Sequence, residues 1–368
     1  MQGILDDSEL DLQVVATGMH LSPEFGLTFR PIEQDGFRID RKVEVLLSSD
    51  TSVGIAKSMG LGLIGFADAF NELRPDVLVV LGDRFEIFSA VAAALVAKIP
   101  VAHIHGGELT EGAFDDAFRH SITKMSHLHF VAAKAYERRV IQLGEVPDSV
   151  FLVGGLGIDS IKRLRLLDRA EIESELGIRF LEKNLLVTFH PVTLSCGNSS
   201  LAQMEELLAA LADLKNTQLI FTLPNADSDG RTLAEMVRRF AAERTYAHVF
   251  TSLGQLRYLS CVAQVDGVVG NSSSGLIEVP SLRKGTINIG DRQFGRLQAA
   301  SIINCEPTRV SISDALQRLY SDDFKISLPE VFNPYGDGGA SEKIVAVLKH
   351  ADLENLVRKS FHDLSVPD

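Results

Sequence analysis

The chain has 368 residues, 45% of them hydrophobic and 23% charged, which is enough for two ordinary cores and more than one typical domain holds. A net charge of −13 disfavours nucleic acid as a partner, because binding a phosphate backbone needs a concentrated positive surface, so any anionic substrate must be held by a few local groups. Cys196, Cys261 and Cys305 lack zinc-site or disulfide spacing, MQGILDDSEL has no basic region leading into an apolar core, and no window approaches eighteen uncharged apolar residues: the expectation is a cytoplasmic protein with no metal, cofactor or membrane span.

Apolar runs of β type then alternate with helical patterns. LQVVATG, DVLVVLGD, PVAHIH, HLHFVAA and VFLVGG are apolar on both faces, as strands of a parallel sheet covered by helices must be. Between them IAKSMGLGLIGFADAFNEL, IFSAVAAALVAKI and AYERRVIQLG carry helical spacing. The pattern restarts with NLLVTFHP, QLIFTLPN, AHVFTS, GVVGNS and TINIGD as strands, separated by EELLAALADLK, LAEMVRRFAAE and SGLIEVPSLRK. Two successive βα series predict an α/β protein of two Rossmann-like, doubly wound domains rather than one closed barrel. The charged stretch IDSIKRLRLLDRAEIESELG marks the boundary. The N-terminal domain is expected over 1–165 and the C-terminal domain over 166–368, with a last amphipathic helix at about 340–360 packing back on the N-terminal domain. The βα unit that normally opens such a domain is not recognisable.

In such sheets ligands bind beyond the carboxyl ends of the strands, and strand after strand here ends in polar or glycine residues. That predicts a cleft between the domains, with both sheets facing one ligand. Asp83 and Arg84 follow DVLVVLGD; a structural Asp-Arg pair is the plain alternative. HIHGGE puts His103 and His105 on one side of an extended segment, where they could chelate a metal or face a phosphate. FDDAFRH places Asp115 and Asp116 in the first turn of a helix, where the dipole favours carboxylates, with Arg119 and His120 one turn on. Capping plus an Asp-Arg pair would explain them equally well, and His127 and His129 read as buried structural histidines. Several carboxylates near one cleft, Glu108 included, should repel one another, raise some pKa values and permit acid and base roles.

In the second domain GNSSSGLIE follows a strand and opens a helix. Asn271 leads into Ser272, Ser273 and Ser274, whose hydroxyls and backbone N–H groups converge where phosphate is favoured. Alternatively, Ser272 merely caps the helix and Gly275 relieves crowding. Arg292 and Arg296 in GDRQFGR can hold phosphate bidentately. Glu278 could accept from ribose hydroxyls or be an ordinary surface glutamate, and His20, His190 and Asn225 stand at further strand ends.

GMHLSPEFG, GDRFE, HIHGGELTEGAFDDAFRHSITK, TFHPVT, GNSSSGLIE and GDRQFGR, in this order, resemble the hydrolysing UDP-N-acetylglucosamine 2-epimerases of bacterial sialic acid synthesis. They also resemble relatives that act on UDP-N,N′-diacetylbacillosamine in legionaminic acid synthesis. The likeness runs from about residue 12 to 345. It implies a GT-B-like fold, a UDP-sugar in the interdomain cleft and a homodimer or homotetramer. It also implies a reaction: UDP leaves C1 by anti elimination as a base removes the C2 proton, and water adds to the 2-acetamidoglucal to release the 2-epimeric sugar, N-acetylmannosamine in the first case. The C2 hydrogen is barely acidic, so departure of UDP must run ahead, and donors on the diphosphate, here Ser272, Ser273, Ser274 and Arg292, carry much of the catalysis. By motif, Asp83 matches the family's catalytic aspartate, Asp115 and Asp116 its paired helix aspartates, His190 a histidine near sugar or phosphate, and Glu278 the ribose-binding glutamate.

Two departures accompany the likeness. Some relatives read HIEGGE, with the first glutamate as acid-base; this chain has His105 there. Either His105 takes over the proton transfer, the reading favoured here, or Glu108 does. Relatives also open with a strand and an Arg-Ala-Asp loop that contacts the nucleotide. This chain begins after it, which suggests a misplaced start codon or a truncated chain. Three other readings stay open: an impaired protein that binds UDP-sugar without releasing free sugar, a metal-dependent hydrolase built on His103 and His105, and, more weakly, a glycosyltransferase of the same fold.

Overall fold

The computed structural model describes residues 1–23, 26–47, 51–110, 115–192, 199–224 and 230–364. In chain order the strands are β1 (Val15–Thr17), β2 (Arg41–Val43), β3 (Leu78–Leu81), β4 (Val101–Ile104), β5 (Leu128–Val131), β6 (Val150–Leu152), β7 (Lys183–Thr188), β8 (Thr217–Thr222), β9 (Ala247–Phe250), β10 (Gly267–Gly270), β11 (Gly285–Ile289) and β12 (Ile302–Cys305). The helices are α1 (Gln2–Leu5), α2 (Phe29–Gln34), α3 (Ser52–Leu73), α4 (Phe85–Val96), α5 (Asp115–Met125), α6 (Lys134–Gln142), α7 (Leu156–Arg163), α8 (Arg169–Leu176), α9 (Ser200–Ala212), α10 (Gly230–Ala242), α11 (Gly254–Gln264), α12 (Ser273–Ile277), α13 (Arg309–Tyr320), α14 (Asp322–Ser327), α15 (Ala340–His350) and α16 (Leu353–Leu356). The chain forms two compact units: unit 1 is Met1–Glu108, Phe114–Leu156 and Gly339–Asp368, and unit 2 is Leu109–Ala113 and Gly157–Gly338.

In unit 1 the parallel sheet runs β3-β4-β5-β6. Its strands are apolar on both faces because both are covered. Val80 and Val101 point into a core with Phe66, Phe70, Val91, Ala94 and Ile122 from α3, α4 and α5. Ala102, Ile104 and Phe130 face the other way, onto Ala340, Ile344 and Leu348 of α15. β1 and β2 pair in parallel with each other, Val15 opposite Arg41, as a separate two-stranded sheet. β2 is not recognisable from residue pattern, because Arg41 and Lys42 break any apolar run. Among the described residues only α3 has the length and apolarity to cross a membrane, and Lys57 and Asp68 interrupt its apolar run. Its inner face, Gly54, Ser58, Gly62, Phe66, Ala69 and Phe70, is buried in unit 1.

The chain termini also belong to unit 1. A Cβ at Gly3 of α1 would stand 3.3 Å from Val345 Cγ2 of α15, and Lys349 pairs with Asp7 at 3.0 Å and Glu9 at 2.9 Å. Lys359 inserts its ammonium beside the buried Glu145 at 2.7 Å and donates to the Ser126 carbonyl at 2.5 Å.

Unit 2 is a six-stranded parallel sheet of order β12-β11-β10-β7-β8-β9. One face, with Leu185, Val187, Phe221, Val269 and Ile287, packs on α9, α10 and α13. The other, with Leu186, Ile220 and Val268, packs on α8 and α11. The strand order reverses between β7 and β10, the place where doubly wound sheets open a ligand crevice. The unit begins nine residues ahead of the boundary expected from charge. A side chain at Gly157 would stand 2.8 Å from Glu278 Oε1, and Ser160 accepts from Gln255 at 2.9 Å, so α7 packs with the second unit.

Candidate active site

Unit 1 gathers its titratable groups where β3 and β4 end. Asp83 follows Gly82, a left-handed turn residue with φ +83°, and receives a short hydrogen bond from Arg119 Nη2. Arg119 lies one turn into α5 and is only 3% exposed. Its other terminal nitrogen approaches Asp116 at 3.8 Å, and His120 Nε2 stands 3.4 Å from the same carboxylate. One buried guanidinium thus joins Asp83 to Asp116. Burial, and then the charge of Asp83, push the neighbouring Asp115 above the usual carboxylate range. Asp83 does not pair with the adjacent Arg84, which turns to the buried Glu86 at 3.2 Å. The capping alternative for the aspartates covers only part of what they do.

The turn after β4 is shaped by conformation. His105 has φ +65°, and its backbone N–H donates to Phe130 O at 2.9 Å. Gly107 has φ +75°, and a Cβ there would meet the Tyr136 carbonyl at 2.6 Å. The turn delivers Glu108 to a buried position, where His105 Nδ1 lies 2.6 Å from its Oε1. Leu156 N–H donates to His105 Nε2 at 3.4 Å. That nitrogen therefore carries the lone pair, and Nδ1–H donates to Glu108.

His103 is fully buried, contrary to a ligand-facing role. Its Nε2 donates to Gly82 O at 2.9 Å, and its Nδ1 lies 3.3 Å from the Thr123 hydroxyl. Burial lowers its pKa to about 3, so it is a neutral strut between β3 and β4, and its donor set is committed away from the metal pair that H-x-H suggested. His127 and His129 are buried, as expected of structural histidines. His20 is exposed, with Nδ1 at 2.8 Å from the Thr28 hydroxyl.

Unit 2 builds a second cluster at its switch point. Gly270, the last residue of β10, has φ +141°, and a Cβ there would overlap the Thr188 carbonyl of β7. This close approach lets Asn271 bridge the two strand ends: its Oδ1 accepts from His190 N at 2.7 Å and its Nδ2 donates to His190 O at 2.9 Å. Arg292 Nη1 and Gln293 Nε2 both donate to Asn271 O, at 3.0 and 2.9 Å. Burial, and then the Arg292 charge, bring His190 down to about 4; its Nδ1 is buried without a partner among the described residues.

Ser272 occupies the N-cap position of α12 but makes no capping side-chain bond, so capping does not consume its hydroxyl. Ser273 opens the helix, and Ser274 donates to Glu278 in a short hydrogen bond. Burial raises the Glu278 carboxyl, which is therefore no ordinary surface glutamate. Gly275 serves packing: a Cβ would stand 2.7 Å from Thr286 Cγ2 on β11. Arg296 is half-buried in the loop after β11. Asn225 lies outside the described residues.

The model of the UDP-N-acetylglucosamine 2-epimerase family matches residues 3–349. The chain belongs to this family. Among its curated relatives, the GDP/UDP-N,N′-diacetylbacillosamine 2-epimerase (hydrolyzing) of Campylobacter jejuni is 42% identical over 98% of this chain and 94% of that protein. Polysialic acid biosynthesis protein P7 of Escherichia coli is 39% identical over 97% and 91%. Among solved structures, the Neisseria meningitidis UDP-GlcNAc 2-epimerase bound to UDP-GlcNAc superposes with a TM-score of 0.80 at 17% identity, covering 94% of each chain. The fold of this family member is accordingly GT-B-like α/β.

Within this epimerase-family chain, sequence reasoning singled out most of the clustered residues but missed how they connect. It treated Arg119 as a helical partner of its neighbours and not as the ligand of Asp83, 36 positions away. It also passed over Gln293, although GDRQFGR contains it.

Proposed function

We propose that the chain is a hydrolysing 2-epimerase that releases UDP and a free 2-epimeric sugar from a UDP-linked 2-acetamido sugar, acting in the cytoplasm as a homo-oligomer. The observation that carries this reading is the pair Asp83 and Asp116 sharing the buried Arg119 beside Asp115, whose pKa burial and the Asp83 charge raise. Elimination breaks C1–O and C2–H and leaves a C1=C2 double bond; hydration places hydroxyl on C1 and a proton on the opposite face of C2. The two steps need a proton acceptor and a proton donor within reach of C2, and a cluster of carboxyl groups around one guanidinium is suited to supply them. Glu108 is the further proton-transfer group in this reading, and His105 orients it, because both nitrogens of that ring are engaged. In unit 2, Ser272, Ser273, Arg292 and Arg296 take the diphosphate, and the charge that develops on departing UDP is stabilised there. Glu278, held by Ser274, takes the ribose.

The motifs put UDP-N-acetylglucosamine first, with N-acetylmannosamine as product and sialic acid synthesis as the setting. A second reading, the same reaction on N,N′-diacetylbacillosamine for legionaminic acid synthesis, is favoured by the relatives. Those named for that sugar are 42% and 34% identical, against 27% for the meningococcal UDP-N-acetylglucosamine 2-epimerase. The deciding experiment is proton NMR in D2O with UDP-N-acetylglucosamine and with UDP- and GDP-linked N,N′-diacetylbacillosamine in separate tubes. Free nucleotide diphosphate plus a 2-epimeric sugar deuterated at C2 is the expected result, and the fastest tube names the substrate. A 2-epimer that remains nucleotide-linked would overturn the hydrolytic assignment. Nucleotide binding without turnover would support the impaired binding protein instead.

A further inference from the structure

Helix α5 carries Asp115, Asp116, Arg119 and His120 toward its start, and its other end is held from far along the chain. The last carbonyls of a helix have no partner within it and must find one elsewhere. Ile122 O accepts from the Ser126 hydroxyl at 2.7 Å, and Thr123 O from Ser126 N–H at 3.1 Å. The Lys124 carbonyl is taken by the ammonium of Lys359, 235 positions away, at 2.8 Å, and the same ammonium reaches the Ser126 carbonyl at 2.5 Å. A cation is also what the negative end of the helix dipole favours.

That ammonium is fixed by a carboxylate withdrawn from water. Glu145 is 1% exposed. One of its oxygens accepts from Lys124 at 2.6 Å; the other accepts from His129 at 2.9 Å and stands 2.7 Å from Lys359. A buried carboxylate holds such partners firmly, because leaving its charge unmet costs far more there than at the surface. The next residues fasten the segment further. His362 N–H donates to Gly144 O at 2.9 Å, and Phe361 packs so closely on Gly144 that a Cβ there would overlap its ring. The Lys124 ammonium lies 4.8 Å from the centre of the same ring.

From the end of α5 the contacts run on to the carboxylates. Thr123 meets His103 at 3.3 Å, and His103 donates to the carbonyl of Gly82, the neighbour of Asp83. Arg119, one turn before Thr123, joins Asp83 to Asp116 directly. We infer that residues 359–362 clamp α5, with Lys359 a positioning residue that caps the helix and through it fixes Asp115, Asp116 and Arg119. The effect on turnover rests on the reading of these carboxylates as the acid-base cluster, whereas the clamp itself does not.

The test is Lys359→Met in the full chain, which keeps an apolar stem and removes the ammonium while Glu145 stays paired with Lys124 and His129. Hydrogen exchange read by mass spectrometry should show the α5 amides exchanging about tenfold faster, as expected when a charge-assisted bond to a helix end is lost. In turnover of UDP-sugar, kcat should fall about ten- to a hundredfold, the cost of misplacing a catalytic group, while KM and UDP affinity stay near their wild-type values. Lys349→Met is the control: it frees the same C-terminal stretch from Asp7 and Glu9 and should leave α5 exchange and kcat unchanged. Unaltered α5 exchange in Lys359→Met, a loss of UDP affinity as large as the loss of kcat, or the same effects from Lys349→Met would each overturn the proposal. A wild type without turnover would strike the assigned activity alone, and exchange of α5 would then decide the clamp by itself.

Discussion

Asp83 and Asp116 meet on one guanidinium that is almost wholly withdrawn from water. A charge so placed is tolerable only while it is paired, and removing one partner of a buried pair costs several kcal/mol. Arg119→Ala is accordingly expected to lose roughly 3 kcal/mol of stability in urea denaturation; a change under about 1 kcal/mol, the range of exposed pairs, would mean that water reaches the site. Asp116→Asn keeps the shape and removes the proton chemistry, so turnover should fall about 10²–10⁴-fold while UDP affinity, read by calorimetry, stays within a few-fold. Near-normal turnover would remove Asp116 from acid-base work. Arg292→Ala should instead weaken UDP binding itself, by about tenfold or more for a charge-assisted contact. The carboxylates were legible because DDAFRH puts them at a helix start. Their shared cation was not, because nothing local ties position 83 to position 119.

Backbone conformation fixes where these groups point, and the turn after β4 is the clearest case. Gly107 combines φ +75° with a Cβ position 2.6 Å from the Tyr136 carbonyl, while Gly82 has φ +83° and open space around it. The two glycines separate conformational strain from steric overlap. Gly82→Ala should cost about 1 kcal/mol, the lower end for a left-handed non-glycine residue. Gly107→Ala should cost clearly more, on the order of 3 kcal/mol as the clash adds to the strain, and should also displace Glu108 and lower turnover. Equal melting temperatures for the two variants would show that the α6 backbone yields. The same scale explains which elements could be read in advance. Strands with both faces covered are unbroken apolar runs and were recognisable. β2 has charged Arg41 and Lys42, and β12 alternates buried Ile303 with exposed Asn304, so neither looks like a core strand. The end of the first unit was misplaced because charge along 158–177 reflects an exposed helix surface, whereas the segment from Gly157 onward packs with the second unit.

The molecule as a whole stores acid lability in its histidines. Burial holds His103 near 3 and both His127 and His190 near 4, against 6.5 for a free imidazole. In the unfolded chain these rings take up protons as pH falls below 6.5, while in the folded chain they stay neutral until about 4. The unfolded state therefore binds more protons throughout that window, and stability falls as pH falls through it. Glu145 prolongs the decline. Burial alone would raise it, but hydrogen bonds from His129, Lys124 and Lys359 bring it to about 2, so its contribution disappears between 4.5 and 2. The urea midpoint should drop steadily from pH 6.5 to 4, and a flat profile would mean that the histidines are protonated in the folded protein. Finally, the two ends of the chain close on the same unit, with α15 covering Ala102, Ile104 and Phe130. On a ribosome unit 2 is complete before α15 has been made. The nascent first unit must then keep one face of its sheet bare while 157–338 emerges, roughly ten to thirty-five seconds at ordinary elongation rates. A premature stop after Gly338 would spare the second unit and strand the first, so the last thirty residues decide whether the first unit's sheet is ever covered.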